Sequence, residues 1–190
     1  AAIRSLPLVR NVGGQIISFG NPTSTITVGG PDGGLAVGPN SVLFATWYGP
    51  NRLSQVKPGS LATDRVDDLG PLGIGGSVGT CAFVPAGLPG AGRFKICSWS
   101  ASTMYDVPLT PDGNGTFAPG TASNPTTVVN GPEGLVYVPA SAPLIGGKLL
   151  VSEWNSGNLV AYDIDANGDP LVLTVHVVDG GLDTGPCVLQ

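Results

Sequence analysis

The sequence predicts an all-β chain, a β-propeller of four-stranded antiparallel blades with about four blade-equivalents in 190 residues. Three observations carry that expectation. Trp47, Trp99 and Trp154, the three tryptophans of the chain, fall on one position of three similar units spaced about fifty residues apart. Charged residues make up 11% of the chain, against about 25% in ordinary globular domains, while 30 Gly and 18 Pro punctuate it. Apolar residues come in short runs bounded by turn residues, with no helical periodicity.

The repeat is visible by direct superposition. "GLAVGPNSVLFATWYGPNRLSQV" (34–56) laid under "GLVYVPASAPLIGGKLLVSEWNSGNLVAYD" (134–163) sets Gly34, Pro39, Trp47 and Asn51 on Gly134, Pro139, Trp154 and Asn158. "TCAFVPAGLPGAGRFKICSWSASTMYDV" (80–107) adds Pro85 and Trp99 at the same positions.

Taken in order, residues 1–30 read as strands two to four of a split blade: "SLPLVRN" (5–11), "GQIISF" (14–19) and "STITVGG" (24–30). Whole blades follow over 31–76, 77–128 and 129–181. Their first strands are predicted at 35–37, 81–84 and 135–138, and their second strands, each ending at a Trp, at 42–47, 94–99 and 149–154. Third strands fall at 53–56, 103–107 and 159–164, and a fourth in the last unit at 171–178. Residues 182–190 end in "GPCVLQ", which matches "GTCAFV" (79–84) as a lone first strand. Joining the two ends would complete a strand-swapped fourth blade and remove exposed edges. The rival reading is a piece of a larger propeller.

The "GPEGL" entry, the Pro after the first strand and the strand-turn-strand "SEWNSGNLVAYD" resemble NHL-repeat and gluconolactonase-like propellers. That resemblance implies either a Ca²⁺-dependent lactone hydrolase or a non-catalytic binding scaffold, usually of six blades. It also makes Glu133 similar to the acid that opens a blade and ligates Ca²⁺ in the lactonase-like relatives.

Ligands of propellers gather where the loop entering the first strand meets the turn between the second and third. Glu133 lies on the first of these, Trp154, Asn155 and Asn158 on the second, and Asp32 and Asp183 stand near the equivalent entries. Acids from neighbouring blades would supply the oxygen ligands of a hydrolytic metal. The simpler reading makes Glu133 an exposed turn residue. Trp154 is expected to pack between blades, with saccharide stacking the alternative.

"DIDANGD" (163–169) has the D-x-D-x-N-G spacing of a Ca²⁺ loop, with Asp163, Asp165, Asn167 and Asp169 as candidate ligands. Thr174 stands where the bidentate twelfth-position acid belongs, and tight hairpins use the same residues, so turn chemistry is the favoured reading. His176, the one histidine, sits in an outermost strand and is a poor candidate for catalysis. Cys81 and Cys97, equally far from the loop centre near Pro89, are candidates for a cross-strand disulfide. Cys187 has no evident mate.

A net charge of -5, with eight basic residues scattered singly, leaves no footprint for nucleic acid, and no apolar run approaches the roughly 20 residues of a membrane-spanning helix. Low lysine content, abundant Thr, Gly and Pro, the possible cysteine pair and an initial Ala point to a secreted or periplasmic protein. The leading expectation is an extracytoplasmic, non-enzymatic binding or assembly scaffold, whose low charge and positive mean hydropathy suit packing against other subunits. The alternatives are a Ca²⁺-dependent lactone or ester hydrolase and a lectin-like carbohydrate binder.

Overall fold

The computed structural model of the chain describes residues 2–180, with side chains through residue 172. Short apolar runs separated by Gly, Pro and Asn turns cannot lengthen into helices, and they form eighteen strands among the described residues. The N-terminal ribbon contains β1 (Ala2–Ser5), β2 (Leu8–Arg10), β3 (Ile16–Phe19) and β4 (Ser24–Thr27). The first sheet contains β5 (Leu35–Val37), β6 (Leu43–Trp47), β7 (Arg52–Val56) and β8 (Arg65–Asp68).

The second sheet contains β9 (Val78–Phe83), β10 (Phe94–Ser98), β11 (Thr103–Asp106) and β14 (Ser123–Thr127). Between its last two strands projects a hairpin of β12 (Leu109–Pro111) and β13 (Phe117–Pro119). The third sheet contains β15 (Pro132–Tyr137), β16 (Leu149–Glu153), β17 (Asn158–Ile164) and β18 (Pro170–Gly180). All three are antiparallel meanders in chain order.

The first strands of the second and third sheets begin about three residues before the predicted starts, because glycines let neighbouring first strands run side by side. A Cβ at Gly34 would lie 2.7 Å from Thr80 Oγ1 and 2.8 Å from Cys81 N, and one at Gly79 would lie 2.9 Å from Pro132 O. No larger residue fits that approach.

Alternation along the strands divides the interior between two faces. Val42, Phe44 and Leu53 of the first sheet pack on Val78, Cys81, Phe94 and Ile96 of the second. Met104 and Cys97, on the opposite face of the second sheet, pack on Leu135, Leu149, Val151 and Tyr162 of the third. Phe44 lies 5.1 Å from Phe94 and 5.2 Å from Phe83 between ring centroids, which adds aromatic pairing of about 1 kcal/mol each to simple burial. A third apolar group, Val138, Leu150 and Ala161 with Val136 and Leu159, occupies the far face of the third sheet.

Two expectations are corrected. Residues 1–30 do not form strands two to four of one sheet. β1 pairs with β4 and β2 with β3, as one long ribbon interrupted at Pro7, where the Gly20 N–H donates to Pro7 O. This repeats the β11–β14 segment, where Gly120 N–H donates to Pro108 O, so the ribbon corresponds to third and fourth strands. Thr27 N–H donates to Leu61 O, tying the ribbon to the first sheet.

The predicted disulfide is also absent: Cys81 and Cys97 are free buried thiols. The register sets Ile96 opposite Cys81 and Thr80 opposite Cys97, one residue away from the symmetric hairpin expected around Pro89. A one-residue offset sends the two sulfurs to opposite faces of the sheet. Cys187 and Asp183 lie outside the described residues.

Candidate functional site

The turn between second and third strands is built three times in the same way. Each has four residues, 48–51, 99–102 and 154–157, and the last is left-handed: Asn51 (φ 54), Ser102 (φ 48) and Gly157 (φ 69). This shared geometry moves the repeat by one residue in the first sheet. Tyr48, Trp99 and Trp154 occupy the common first turn position, and Asn51 matches Gly157 rather than Asn158. Trp47 instead shares the strand-end position with Ser98 and Glu153.

The aromatic residues differ accordingly. Trp47 is buried; its indole N–H donates to Ser54 Oγ at 3.0 Å, and a Cβ on Gly29 would lie 2.6 Å from its ring. Trp99 is partly covered by Tyr48, at 6.1 Å and edge-on, and by the backbone of Gly131. Its Nε1 is buried without a hydrogen-bond partner among the described residues. Trp154 is 50% exposed, so the expectation that it is packed away between sheets is corrected. Its backbone N–H donates to Gly131 O at 3.0 Å, and that of Asn155 donates to Asn130 O at 2.9 Å, fixing the turn under an open indole.

Beneath this turn lies Glu153, a residue that sequence reasoning passed over. It is buried, with Oε1 accepting the Tyr162 hydroxyl at 2.6 Å and Oε2 accepting Asn130 Nδ2 and Ser156 Oγ, both at 2.8 Å. Burial first, and then the hydrogen bond to Glu153 and its charge, push the Tyr162 hydroxyl well above its usual range. The available signal was an acid at a strand end where the other copies carry Trp47 and Ser98.

Glu133 is half-buried in β15, close to Gly79 of the neighbouring first strand. Burial, and secondarily the charge of Asp32, raises its carboxyl above the ordinary value. Asp32 accepts the Tyr48 N–H on Oδ1 at 2.7 Å. The entries of the first and third sheets therefore place these two acids within electrostatic reach, at the end that carries the aromatic turns.

The four candidate metal ligands of 163–169 do not converge. Asp165 Oδ1 accepts the N–H groups of Asn167 (2.7 Å) and Asp169 (2.9 Å), closing a hairpin turn. Asn11 does the same for Gly13 and Gln15, and Asp112 for Asn114 and Thr116. The fourth residue of each turn is a left-handed glycine: Gly14, Gly115 and Gly168. Asp163 pairs with Lys148. Asp169 accepts from Lys95 Nζ at 2.5 Å. Among the described residues no three His, Cys, Asp or Glu side chains are placed to hold a metal ion.

Lys95 is fully buried between Asp106 and Asp169. Burial works against the Asp106 carboxylate, but hydrogen bonds from Lys95, Asn124 and Arg93 outweigh it and hold Asp106 below its usual range. For Asp169 burial wins and the carboxyl is raised. His176 stands opposite Ala161 in the backbone register of β18.

At the opposite end, a cavity of about 290 Å³ lies between the first and second sheets, walled by Pro39, Phe83, Phe94 and Phe117 with the Arg93–Asp106 pair at its edge. No helix among the described residues is long and apolar enough to cross a membrane. The sequence matches no family model and no curated protein.

Proposed function

We propose that the three sheets are blades of a β-propeller scaffold that binds a partner on the end bearing Tyr48, Trp99 and Trp154, without catalysing a reaction. Consecutive four-stranded meanders stacked face to face, with glycine-lined first strands innermost, support the propeller architecture and the likeness to NHL-repeat propellers. The half-exposed Trp154 carries the binding assignment: a large apolar ring, seated on a turn fixed by Glu153 and Asn130, is preorganised for contact. A saccharide face or an apolar protein surface suits such a ring, with Asn155 beside it to read polar groups. We place this activity outside the cytoplasm on composition alone, because free Cys81 and Cys97 supply no disulfide to that argument.

The test is retention on a panel of immobilised polysaccharides, alongside fluorescence titration with soluble oligosaccharides. Retention that Trp154→Ala abolishes, in a variant of unchanged stability, is the expected result; equal behaviour of parent and variant on every matrix removes the assignment.

One observation favours the hydrolase alternative: Glu133 and Asp32 share one end, and Glu133 is held protonated to higher pH than an ordinary carboxyl. Turnover of simple lactones or aryl esters that depends on calcium and is lost in Glu133→Gln would replace the scaffold reading.

A further inference from the structure

At the end away from the aromatic turns, the two spaces between neighbouring sheets are finished differently. Between the second and third sheets the space is covered. The β9–β10 loop, ten residues at 84–93, reaches the outer hairpin of the third sheet, where a Cβ on Gly90 would lie 2.1 Å from Asn167 O and one on Gly168 3.0 Å from Pro89 O. Beneath this contact Tyr137 donates its hydroxyl to Gly168 O at 2.7 Å, and Lys95 is buried against Asp169. The first sheet has only five residues, 38–42, in the equivalent loop. The facing hairpin, β12–β13, is held on the first sheet by Gln55, which donates to Phe117 O at 2.6 Å and accepts Phe117 N–H at 2.9 Å. With Pro39 on one side and this hairpin on the other, the cavity of about 290 Å³ remains between them.

The cavity walls are held in place and mostly apolar. Phe83 stacks on Phe94 with ring centroids 4.6 Å apart, both rings lie against Phe44, and Phe117 is fixed by its two backbone bonds to Gln55. Phe83 occupies the repeat position of Tyr137 without its hydroxyl, so this wall presents a ring and no polar atom. Protein interiors leave few voids larger than a water, and an apolar space of this size between bonded walls is a preformed pocket. Arg93 is the cation at its edge. Its Nη1 donates to Asp106 Oδ2 at 2.6 Å, while Nε and Nη2 have no partner among the described residues. Asp106 is engaged on both oxygens, since Oδ1 faces Lys95 and Oδ2 also accepts Asn124 Nδ2 at 2.8 Å. The free hydrogen-bonding capacity of this pair is therefore on the guanidinium. A carboxylate matches its fork, and the phenylalanine walls suit an aromatic body.

We infer that this cavity binds a small aromatic acid, a single ring carrying a carboxylate on a short chain, with the ring against Phe83 and Phe117 and the carboxylate on Arg93. The site goes beyond the partner-binding reading and uses none of its residues, because Trp154 stands at the opposite end.

Calorimetric titration of the full chain with hydrocinnamate, and with hydrocinnamyl alcohol, which has the same ring and chain but no charge, tests it. Saturable one-to-one binding of the acid is expected, at least tenfold tighter than that of the alcohol. R93M should bring the acid down to the level of the alcohol and leave the alcohol unchanged; the Arg93 side chain is 43% exposed, so the variant should fold. Should R93M melt early, R93K keeps the charge, loses the fork and should weaken the acid at least threefold. L109W, which puts a larger ring into the cavity wall, should exclude both probes. Trp154→Ala should bind the acid as the parent does, which keeps this site separate from the polysaccharide test. A parent chain that binds neither probe, equal affinities for acid and alcohol, or acid binding that survives R93M or L109W or is lost in Trp154→Ala overturns the inference.

Discussion

Lys95 Nζ lies 2.5 Å from Asp169 Oδ1 and joins the second strand of the second sheet to the outer hairpin of the third. The ammonium is fully buried, so its desolvation is offset only while both carboxylates face it. Lys95→Met should cost about 3–5 kcal/mol, because it strands buried Asp169 without a cation. Adding Asp169→Leu should recover much of that loss, since the apolar pair removes the remaining uncompensated charge. Urea denaturation of the two variants measures this, and a single variant with the parent midpoint would remove the ion pair from the account of how the sheets are joined.

The acid side of stability should depend on Asp112. Its carboxyl is held down to about 2 from the ordinary 3.8, first by the Thr116 hydroxyl and the Asn114 N–H and then by Arg65. A depressed folded-state value stabilises the protein above the unfolded value and is lost as protons bind the folded form. Asp112→Asn keeps an Oδ1 acceptor for the turn but does not titrate. The difference in melting temperature between parent and variant should therefore be constant above about pH 5 and shrink between about pH 4 and 2. A difference that stays level across that range contradicts the linkage.

The turn at Asp165 gives a direct check on calcium. Asn11 closes the equivalent turn with an amide oxygen, so Asp165→Asn should leave thermal stability unchanged and indifferent to calcium or chelator. Asp165→Ala removes the acceptor from two backbone N–H groups and should cost about 1 kcal/mol. A calcium-dependent rise in melting temperature that Asp165→Asn abolishes would restore the metal loop.

How far the fold was legible follows from these same residues. Repeat spacing located the three sheets, because strand-turn-strand units of fixed length carry period-two apolar runs whatever their partners. Turn chemistry is the favoured reading of "DANGD" over a metal loop, and its side-chain bonds bear that out; that "NVGGQ" closes the same turn without any acid, as "DGNGT" does with one, emerges from the structure. Registers were less legible. Trp47 and Tyr48 are adjacent aromatics, and only the left-handed Asn51, Ser102 and Gly157 show that Tyr48 is the one matching Trp99 and Trp154. The site beneath Trp154 depends on Glu153 meeting Asn130 and Tyr162, partners from three segments that no local pattern brings together.

Cys81 and Cys97 offer a test of register. Burial pushes the Cys81 thiol up to about 12 and raises Cys97 as well, so neither presents a thiolate at neutral pH. Alkylation mapped by mass spectrometry should leave both unmodified in the folded protein and label both after denaturation without reductant. Labelling that appears only after reduction would place them in a disulfide and shift the β9–β10 register by one residue.

Trp47 and Trp154, one residue apart in the repeat, should respond oppositely to the same change. Trp47 is 9% exposed, its ring lies against Gly29 and its N–H is bonded to Ser54, so Trp47→Ala removes a large buried side chain and a buried hydrogen bond. A loss of about 3–5 kcal/mol is expected, the range for aromatic truncation in a packed interior. Trp154→Ala should cost no more than about 1 kcal/mol, because half of its surface already faces solvent and its turn is held by backbone bonds to Gly131 and Asn130 that Ala keeps. Paired chemical denaturation of the two variants decides the matter. Equal losses would mean that Trp154 is a packing residue after all, and the binding face would then lose the side chain on which it was built.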